Sequence, residues 1–298
     1  MNQAKRITLL ASLVTISVII LLVYVHQYFH NQRLATISLK VSTWHTPVIV
    51  VNRENKSFSF LLDTGMRSDL CLNATIEDDF PIQKTDTQGF ITNILGNAHQ
   101  KHFFYLPQLQ LETLVIKNIQ GFSEGAEAEE ANLPMKFICQ KEHDHVEPQA
   151  TIGMGILSRY NFFLDLHLGE ISFFHKGVVP KDILKRRYLK IPLIFEGKIP
   201  IVELDTNFGK KKFIIDTGTT VCIIPKKMQP AYLNESSEDV EMFDMNLRSG
   251  NFHLGKHRFF LFDADFSKVN ADGLIGMDFL CKYDLFFDNI KHYLYLTI

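Results

Sequence analysis

The chain has few cysteines and almost no net charge, and each scarcity argues against a class of protein. Four cysteines in 298 residues, with no Cys-x-x-Cys pair among them, are too few for a disulfide scaffold or a cysteine-based zinc site. Lys and Arg total 31 against 33 Asp and Glu, and the net charge of -2 argues against a nucleic-acid binder with a large basic surface. The chain does contain 46% hydrophobic residues, including 25 Phe, which predicts a folded body with a large core.

One uncharged apolar run lies near the N-terminus, at residues 7–25. A helix of this length, rising about 1.5 Å per residue, spans the ~30 Å hydrocarbon layer of a bilayer. No small-residue cleavage site follows the run, so a single-pass signal anchor within residues 1–30 is favoured over a cleaved signal peptide or a buried core helix. Lys5 and Arg6 directly precede the run, which predicts a cytoplasmic N-terminus and an extracytoplasmic body, periplasmic in a bacterium.

The rest of the chain repeats itself. Residues 47–65 and 200–218 share a strand-like pattern that ends in Asp-Thr-Gly, at a constant offset of 153 residues. A second block, Ile-Gly-Met, begins at Ile152 and again at Ile275, at an offset of 123. Short β-branched and aromatic runs bounded by turn residues predict strands in both copies, with a short helix after each Ile-Gly-Met block. We therefore expect an all-β body of two similar lobes.

The repeat also sets the predicted domain boundaries. The anchor (residues 1–30) precedes a first lobe at 37–176, which we call the first repeat. A basic stretch that contains Pro180 is typical of a solvated linker and occupies residues 177–190. Residues 191–298 form the second lobe, which we call the second repeat.

Each repeat carries one Asp-Thr-Gly turn, and the two aspartates are Asp63 and Asp216. If related lobes pack around a pseudo-twofold axis, these residues face each other across it. Two adjacent carboxyls share one proton, so the charged member can activate a water while the protonated member donates to a carbonyl. The predicted chemistry is hydrolysis that requires neither a metal nor a cofactor.

These motifs resemble those of the pepsin and retropepsin superfamily of aspartic proteases. The matching segments are residues 62–65, 151–153, 215–220 and 274–280, and the resemblance covers about 37–298. It implies a bilobal acid-protease fold, built like two fused retropepsin units, that cleaves a polypeptide substrate as a monomer. The implied catalytic residues are Asp63 and Asp216, and the implied supporting residues are Thr64, Gly65, Thr217, Gly218 and Thr219 around the turns and Gly153 and Gly276 beneath them.

One position departs from the family pattern. Thr219 supplies the hydroxyl expected directly after the second Asp-Thr-Gly, but Met66 stands at the equivalent position of the first and is followed by Arg67. Arg67 would lower the pKa of the Asp63 carboxyl if it turned inward. Two alternatives to a protease therefore stay open: an inactive lobe pair that binds peptides or an envelope protein, and a membrane-tethered structural protein.

The flap and a histidine cluster are predicted from weaker patterns. The flap hairpin of the first repeat is predicted at residues 89–105, with its tip near Gly96, and a shorter counterpart is predicted at 238–254. Tyr105 is interpreted as an ordinary strand residue. The acidic and histidine-containing stretch 142–145 is interpreted as an exposed loop rather than a metal site.

Overall fold

The computed structural model describes residues 14–24, 33–92, 98–124, 146–228 and 242–297, and this part of the chain is mostly β. In chain order the strands are β1 Arg33–Val41, β2 Pro47–Arg53, β3 Lys56–Asp63, β4 Leu70–Asn73, β5 Gln83–Thr92, β6 Ala98–Leu111, β7 Leu114–Glu124, β8 Ala150–Gly153, β9 Asn161–Asp165, β10 Glu170–Phe174, β11 Tyr188–Pro192, β12 Ile194–Glu196, β13 Ile199–Thr206, β14 Gly209–Ile215, β15 Ile223–Pro225, β16 Met242–Ser249, β17 Phe252–Phe262, β18 Gly273–Ile275, β19 Asp284–Asp288 and β20 Tyr293–Thr297.

The helices are few and short. They are α1 at residues 14–24, α2 Met154–Leu157, α3 Lys181–Lys185 and α4 Met277–Leu280, with 3-10 turns at Ala74–Asp79, Lys226–Met228 and Ser267–Val269. Helices α2 and α4 directly follow the two Ile-Gly blocks, as the sequence predicts. Helix α1 lies inside the predicted anchor and exposes its apolar side chains. Across the described ranges, no helix is both long and apolar enough to cross a bilayer.

The first repeat folds around a parallel strand pair that ends at Asp63. Strands β2 and β3 form a hairpin, β3 pairs in parallel with β8, and β8 pairs antiparallel with β4. Strand β4 in turn pairs in parallel with β7. The register places Leu62 opposite Ile152, so the Asp-Thr-Gly turn and the Ile-Gly block end at the same edge of the sheet.

The second repeat has the same topology. Strands β13 and β14 form a hairpin, β14 runs parallel to β18, β18 pairs antiparallel with β15, and β15 runs parallel to β17. The register places Ile215 opposite Ile275, which matches the pairing in the first repeat. Strand β16 pairs with β17 and closes back on β13, so these six strands form a barrel.

A second set of strands joins the two repeats. The sheet order β11-β20-β19-β9-β10-β1 places three strands from the first repeat beside three from the C-terminal part of the chain. At the junction of β9 and β19, the rings of Phe162 and Phe287 stack with centroids 4.5 Å apart, and both rings are fully buried. One continuous core therefore runs across the boundary between the repeats.

The predicted linker contributes to this junction. Its basic stretch forms α3, and its last residues belong to β11, which begins at Tyr188 and pairs with β20. Arg186 lies between them and donates to the carboxylates of Asp284 at 2.8 Å and Asp165 at 3.0 Å, one from each side of the junction. Both carboxylates are buried, so Arg186 ties the linker to both repeats.

The predicted flap of the first repeat forms a hairpin of β5 and β6, in which Gly89 pairs with Lys101. Its tip, at residues 93–97, lies outside the described residues. Almost every residue of β5 is exposed, on both faces of the strand, so this hairpin projects from the body. Tyr105 belongs to β6 and donates its hydroxyl to Asn118 at 2.7 Å, which agrees with an ordinary strand residue.

The second-repeat hairpin differs from the predicted flap. Strands β16 and β17 turn at Gly250, where φ is +57°, but the strand that follows this turn pairs in parallel with β15. In the first repeat the equivalent strand is β7, which follows the turn after β6. The β16–β17 hairpin therefore corresponds to β6–β7 rather than to the projecting hairpin β5–β6.

Candidate active site

The two Asp-Thr-Gly turns meet at the ends of β3 and β14. Thr64 Oγ1 donates to the carbonyl of Ile215 at 2.6 Å, and Thr217 Oγ1 donates to the carbonyl of Leu62 at the same distance. Each hydroxyl also accepts the backbone N–H of the opposite threonine, at 3.0 and 3.1 Å. Both threonines are fully buried, so four symmetric hydrogen bonds fix one turn against the other.

Glycine follows each threonine because the turns approach each other closely. A Cβ atom at Gly65 would overlap the carboxyl of Asp216, and a Cβ atom at Gly218 would overlap the carboxyl of Asp63. Neither glycine has a positive φ, so the requirement is for space rather than for a left-handed backbone. Each carboxyl therefore lies directly over the turn of the opposite repeat.

The carboxyl of Asp63 accepts two hydrogen bonds from the backbone of its own turn. Its Oδ1 atom accepts the N–H of Gly65 at 2.7 Å and the N–H of Met66 at 2.9 Å. The Met66 side chain, which stands where the second repeat has a threonine, offers no hydroxyl. The Asp63 carboxyl therefore keeps its backbone donors but has no side-chain hydroxyl donor at this position.

The carboxyl of Asp216 has the additional donor. Its Oδ1 atom accepts the N–H of Gly218 at 2.8 Å, and its Oδ2 atom accepts the Thr219 hydroxyl at 2.9 Å. A hydroxyl that points at a carboxylate oxygen stabilises the charged form. The two aspartates therefore share a backbone geometry but differ in hydrogen bonding.

This difference affects the pKa values of the two aspartates. The pKa of Asp63 is raised well above its usual value by burial, and further by the charge and the side-chain hydrogen bond of Asp216. Burial also raises the pKa of Asp216, but hydrogen bonds from Thr219 and from Asp63 oppose the rise. Burial of two adjacent carboxyls favours a single shared proton, and the Thr219 hydroxyl favours the charge on Asp216.

The two Ile-Gly blocks pass beneath the turns. A Cβ atom at Gly153 would overlap the carbonyl oxygen of Met66, and one at Gly276 would overlap that of Thr219. The next residue in each repeat donates its backbone N–H to that same carbonyl, at 2.7 and 2.8 Å. Both predicted glycines therefore pack against the loops that carry the aspartates, and their nearest neighbours are backbone atoms of those loops rather than the carboxyls.

Arg67 does not act on the dyad. Its guanidinium donates to the carbonyl of Glu196 at 3.4 Å and packs on Gly197, in the turn between β12 and β13. The inward orientation considered from the sequence is therefore not adopted.

Sequence reasoning missed a buried ion pair that supports the first turn. Asp69 is 7% exposed, forms an ion pair with Arg159, and accepts the backbone N–H of Gln120 at 3.0 Å. Lys198, from the second repeat, lies 3.5 Å from the same carboxylate. The sequence signal for this ion pair was an aspartate directly before the apolar strand β4. A carboxylate in such a position is buried with the strand, and a buried charge requires a partner.

Within the described residues, two groups of side chains have the composition of metal ligands, and neither includes the dyad. One consists of Asp165, His167 and Asp284, where Arg186 already supplies a positive charge. The other consists of Cys222, His257 and Asp278 in the second repeat. The predicted loop at 142–145 lies outside the described residues.

No protein-family model matches the chain. No curated protein sequence matches it significantly either.

Proposed function

We propose that the chain is a membrane-anchored aspartic endopeptidase with a bilobal pepsin- and retropepsin-like fold, and that Asp63 and Asp216 are its catalytic dyad. One observation carries the proposal: two carboxyls from separate repeats interact directly, over turns that are tied together by the reciprocal hydrogen bonds of Thr64 and Thr217. A pair of this kind is costly to bury, because like charges at short range raise the free energy of the ionised state. General acid–base catalysis depends on this cost, because it keeps one carboxyl protonated while the other is ionised.

The hydrogen bonds of the two carboxyls support one assignment of their roles in the reaction. Asp216, ionised beside the Thr219 hydroxyl, accepts a proton from a water that attacks the peptide carbonyl carbon. Asp63, which holds the shared proton, donates it to the carbonyl oxygen as the tetrahedral intermediate forms. Breakdown of this intermediate transfers the proton on Asp216 to the nitrogen of the amine that leaves, while ionised Asp63 takes a proton back from a hydroxyl of the intermediate. The pair therefore ends the cycle as it began, with one proton on Asp63.

The substrate would be an extended polypeptide, and the projecting β5–β6 hairpin would cover it. This hairpin exposes both faces and carries Phe90, which is 72% exposed. A strand of substrate that pairs with hairpin backbone is a common mode of peptide recognition. The membrane anchor is proposed from the uncharged apolar run at residues 7–25, and Lys5 and Arg6 before it favour a catalytic body outside the cytoplasm. Because both aspartates come from one chain, the site requires no second copy.

Met66 favours a second candidate, an inactive lobe pair that binds peptides without cleaving them. The methionine leaves Asp63 without the hydroxyl that Asp216 has. The backbone donors of Asp63 are nevertheless in place, and a carboxyl that acts as the proton donor gains nothing from a group that stabilises its charge. This asymmetry is compatible with catalysis, so we place the peptide-binding candidate second.

Cleavage by the purified full-length chain tests the proposal. We expect an unfolded protein, such as reduced and alkylated casein, to be cleaved within about pH 3 to 7, where one carboxyl is ionised and the other protonated. Asp63→Asn and Asp216→Asn should each abolish cleavage, whereas Asp263→Asn, at an exposed aspartate outside the site, should leave it unchanged. Binding of peptides without cleavage by the unmodified chain would favour the second candidate.

The stability of the same variants gives an independent measurement. A raised carboxyl pKa means that the folded state loses stability as pH rises above the usual aspartate value, because the fold holds a proton that the unfolded chain releases. Asp63→Asn removes this loss, so its melting temperature at neutral pH should equal or exceed that of the unmodified chain. An inactive variant that is also unfolded would not support a catalytic role.

A further inference from the structure

The second repeat contains a compact group of three potential metal ligands that the proposed proteolytic mechanism does not use. Cys222 lies just before β15, His257 lies on β17, and Asp278 lies in the first turn of α4. Cys222 Sγ is 3.1 Å from Asp278 Oδ1, and His257 Nε2 is 3.2 Å from Asp278 Oδ2. One ligand atom from each residue lies within 4.8 Å of the other two.

These distances suit a tetrahedral metal ion. Zinc binds cysteine sulfur at about 2.3 Å, histidine nitrogen at about 2.0–2.1 Å and carboxylate oxygen at about 2.0–2.2 Å, so its ligand atoms lie roughly 3–4 Å apart. The three side chains come from three different elements, and the ion would therefore bind to a rigid part of the fold. The side chains of His257 and Asp278 are 10% and 16% exposed, which leaves an entry path from solvent.

The imidazole of His257 provides an independent indication of a ligand. Its Nε2 atom is buried and makes no hydrogen bond, although the carboxylate of Asp278 is only 3.2 Å away. A buried nitrogen without a hydrogen bond carries a desolvation cost. A cation in the space between these groups would satisfy the nitrogen and the carboxylate together.

The first repeat shows how the equivalent space is filled when no metal ligands are present. Asp69 stands at the position of Cys222, and Gly155 stands at the position of Asp278. A Cβ atom at Gly155 would overlap the carboxylate of Asp69, which forms an ion pair with Arg159. There, a guanidinium supplies the positive charge.

The second repeat has no arginine in that role. The residue equivalent to Arg159 is Lys282, which is exposed and approaches the other imidazole nitrogen, Nδ1 of His257, at 3.0 Å. It does not form an ion pair with Asp278 in the described interactions. The second repeat thus has a thiol, an imidazole and a carboxylate where the first repeat has a buried carboxylate–guanidinium pair. A bound cation would supply the positive charge that Arg159 supplies in the first repeat.

The same three residue types also form nucleophilic triads, but the geometry here argues against one. In a triad the histidine lies between the thiol and the acid. Here the carboxylate of Asp278 lies between them, 3.1 Å from the sulfur and 3.2 Å from the imidazole nitrogen. Cys222 is also fully buried, so a substrate carbonyl has no access to its sulfur.

We propose that Cys222, His257 and Asp278 bind a divalent zinc ion that fixes the loop after the second Asp-Thr-Gly turn to β17 and α4. Binding releases the thiol proton to solvent, leaves the thiolate and the carboxylate on the ion, and requires the proton of the imidazole on Nδ1. Exposed Lys282 then turns away from Nδ1 into solvent. Three protein ligands leave the fourth tetrahedral position to a water, and Cys222, the ligand nearest to the dyad along the chain, follows Asp216 by six residues.

The test uses the purified full-length chain, treated with a chelator and then titrated with cobalt, which reports thiolate ligands by a charge-transfer absorption band. We expect one cobalt per chain with this band, and its displacement by zinc. Cys222→Ser should remove the band, whereas Cys71→Ser, at a buried cysteine of the first repeat, should retain it. Asp278→Asn and His257→Gln should weaken zinc binding by more than the ~10- to 100-fold that loss of an outer-shell partner costs.

Two further measurements guard against misfolded variants and unspecific binding. Lys282→Met removes the competing ammonium and should bind zinc at least as tightly as the unmodified chain. X-ray absorption of the zinc-loaded unmodified chain should show one sulfur among lighter ligands. Failure of the folded, unmodified chain to give the cobalt band, or survival of the band in Cys222→Ser, would overturn the proposal, whether or not the chain is a protease.

Discussion

Removal of the Thr219 hydroxyl tests the assignment of the shared proton. Valine has nearly the shape of threonine, so Thr219→Val removes the donor to Asp216 Oδ2 at 2.9 Å and leaves the backbone donors in place. The loss destabilises the charged form of Asp216 and has no direct effect on Asp63. Met66→Ser is the reciprocal change, because it adds a hydroxyl at the equivalent position beside Asp63.

The expected shift follows from the strength of one hydrogen bond. A hydrogen bond to a charged group contributes about 1.5–3 kcal/mol, and about 1.4 kcal/mol corresponds to one pKa unit. The lower apparent pKa of the pair, at which Asp216 ionises, should therefore rise by about 1–2 units in Thr219→Val. In Met66→Ser the added hydroxyl stabilises a charge on Asp63, so the upper apparent pKa should fall by a similar amount.

The assay is the pH dependence of kcat/KM on an unfolded protein substrate. The acidic limb should move to higher pH in Thr219→Val, and the basic limb should move to lower pH in Met66→Ser. Thr219→Ser keeps the hydroxyl and should follow the unmodified profile. An acidic limb that stays in place in Thr219→Val, or that moves equally in Thr219→Ser, would refute the assignment. NMR titration of isotope-labelled aspartate carboxyls checks the same pKa values without turnover.

Two further predictions concern stability. Thr217→Val removes two cross-repeat hydrogen bonds and leaves a carbonyl and an N–H buried without partners. The free energy of unfolding, measured by urea titration, should therefore fall by about 2–4 kcal/mol. Thr217→Ser should restore most of this free energy, and equal losses in both variants would contradict this account. Arg186→Met leaves two buried carboxylates without their guanidinium. Because that side chain is 39% exposed, the loss should be about 2–3 kcal/mol, below the ~3–5 kcal/mol of a fully buried pair. Arg187→Met is the control, and a similar loss there would contradict a specific role for Arg186.

The meeting of Asp63 and Asp216 could be predicted from the sequence because a constant offset between repeats implies equivalent positions in equivalent folds. The predicted strands and the short helices after each Ile-Gly block were accessible for the same reason. The projecting hairpin was predicted instead from the Gly-Asn pair at residues 96 and 97, which is typical of a tight turn. The direction of Arg67 was not accessible. It depends on the turn between β12 and β13, more than a hundred residues along the chain, whose carbonyl accepts the guanidinium.

Contacts between the repeats were the least predictable part of the fold. The sequence treats residues 177–190 as a solvated linker, whereas the structure uses Arg186 within it to neutralise two buried carboxylates. Neither aspartate forms a motif with Arg186 along the chain. The group of Cys222, His257 and Asp278 was missed similarly, since spacings of 35 and 21 residues match no compact metal-binding pattern.

The duplication explains why asymmetry appears where it does. The hydrogen bonds of Thr64 and Thr217 require symmetry, because each hydroxyl bonds the opposite backbone, and there the repeats are identical. The hydrogen bonds of the two aspartate carboxyls impose no such symmetry, and two equivalent carboxyls would hold the shared proton equally. Met66 and Thr219, which directly follow the two symmetric turns, make the two carboxyls unequal. If this reasoning is correct, Met66→Ser should narrow the pH range of activity more than it lowers the rate at the optimum.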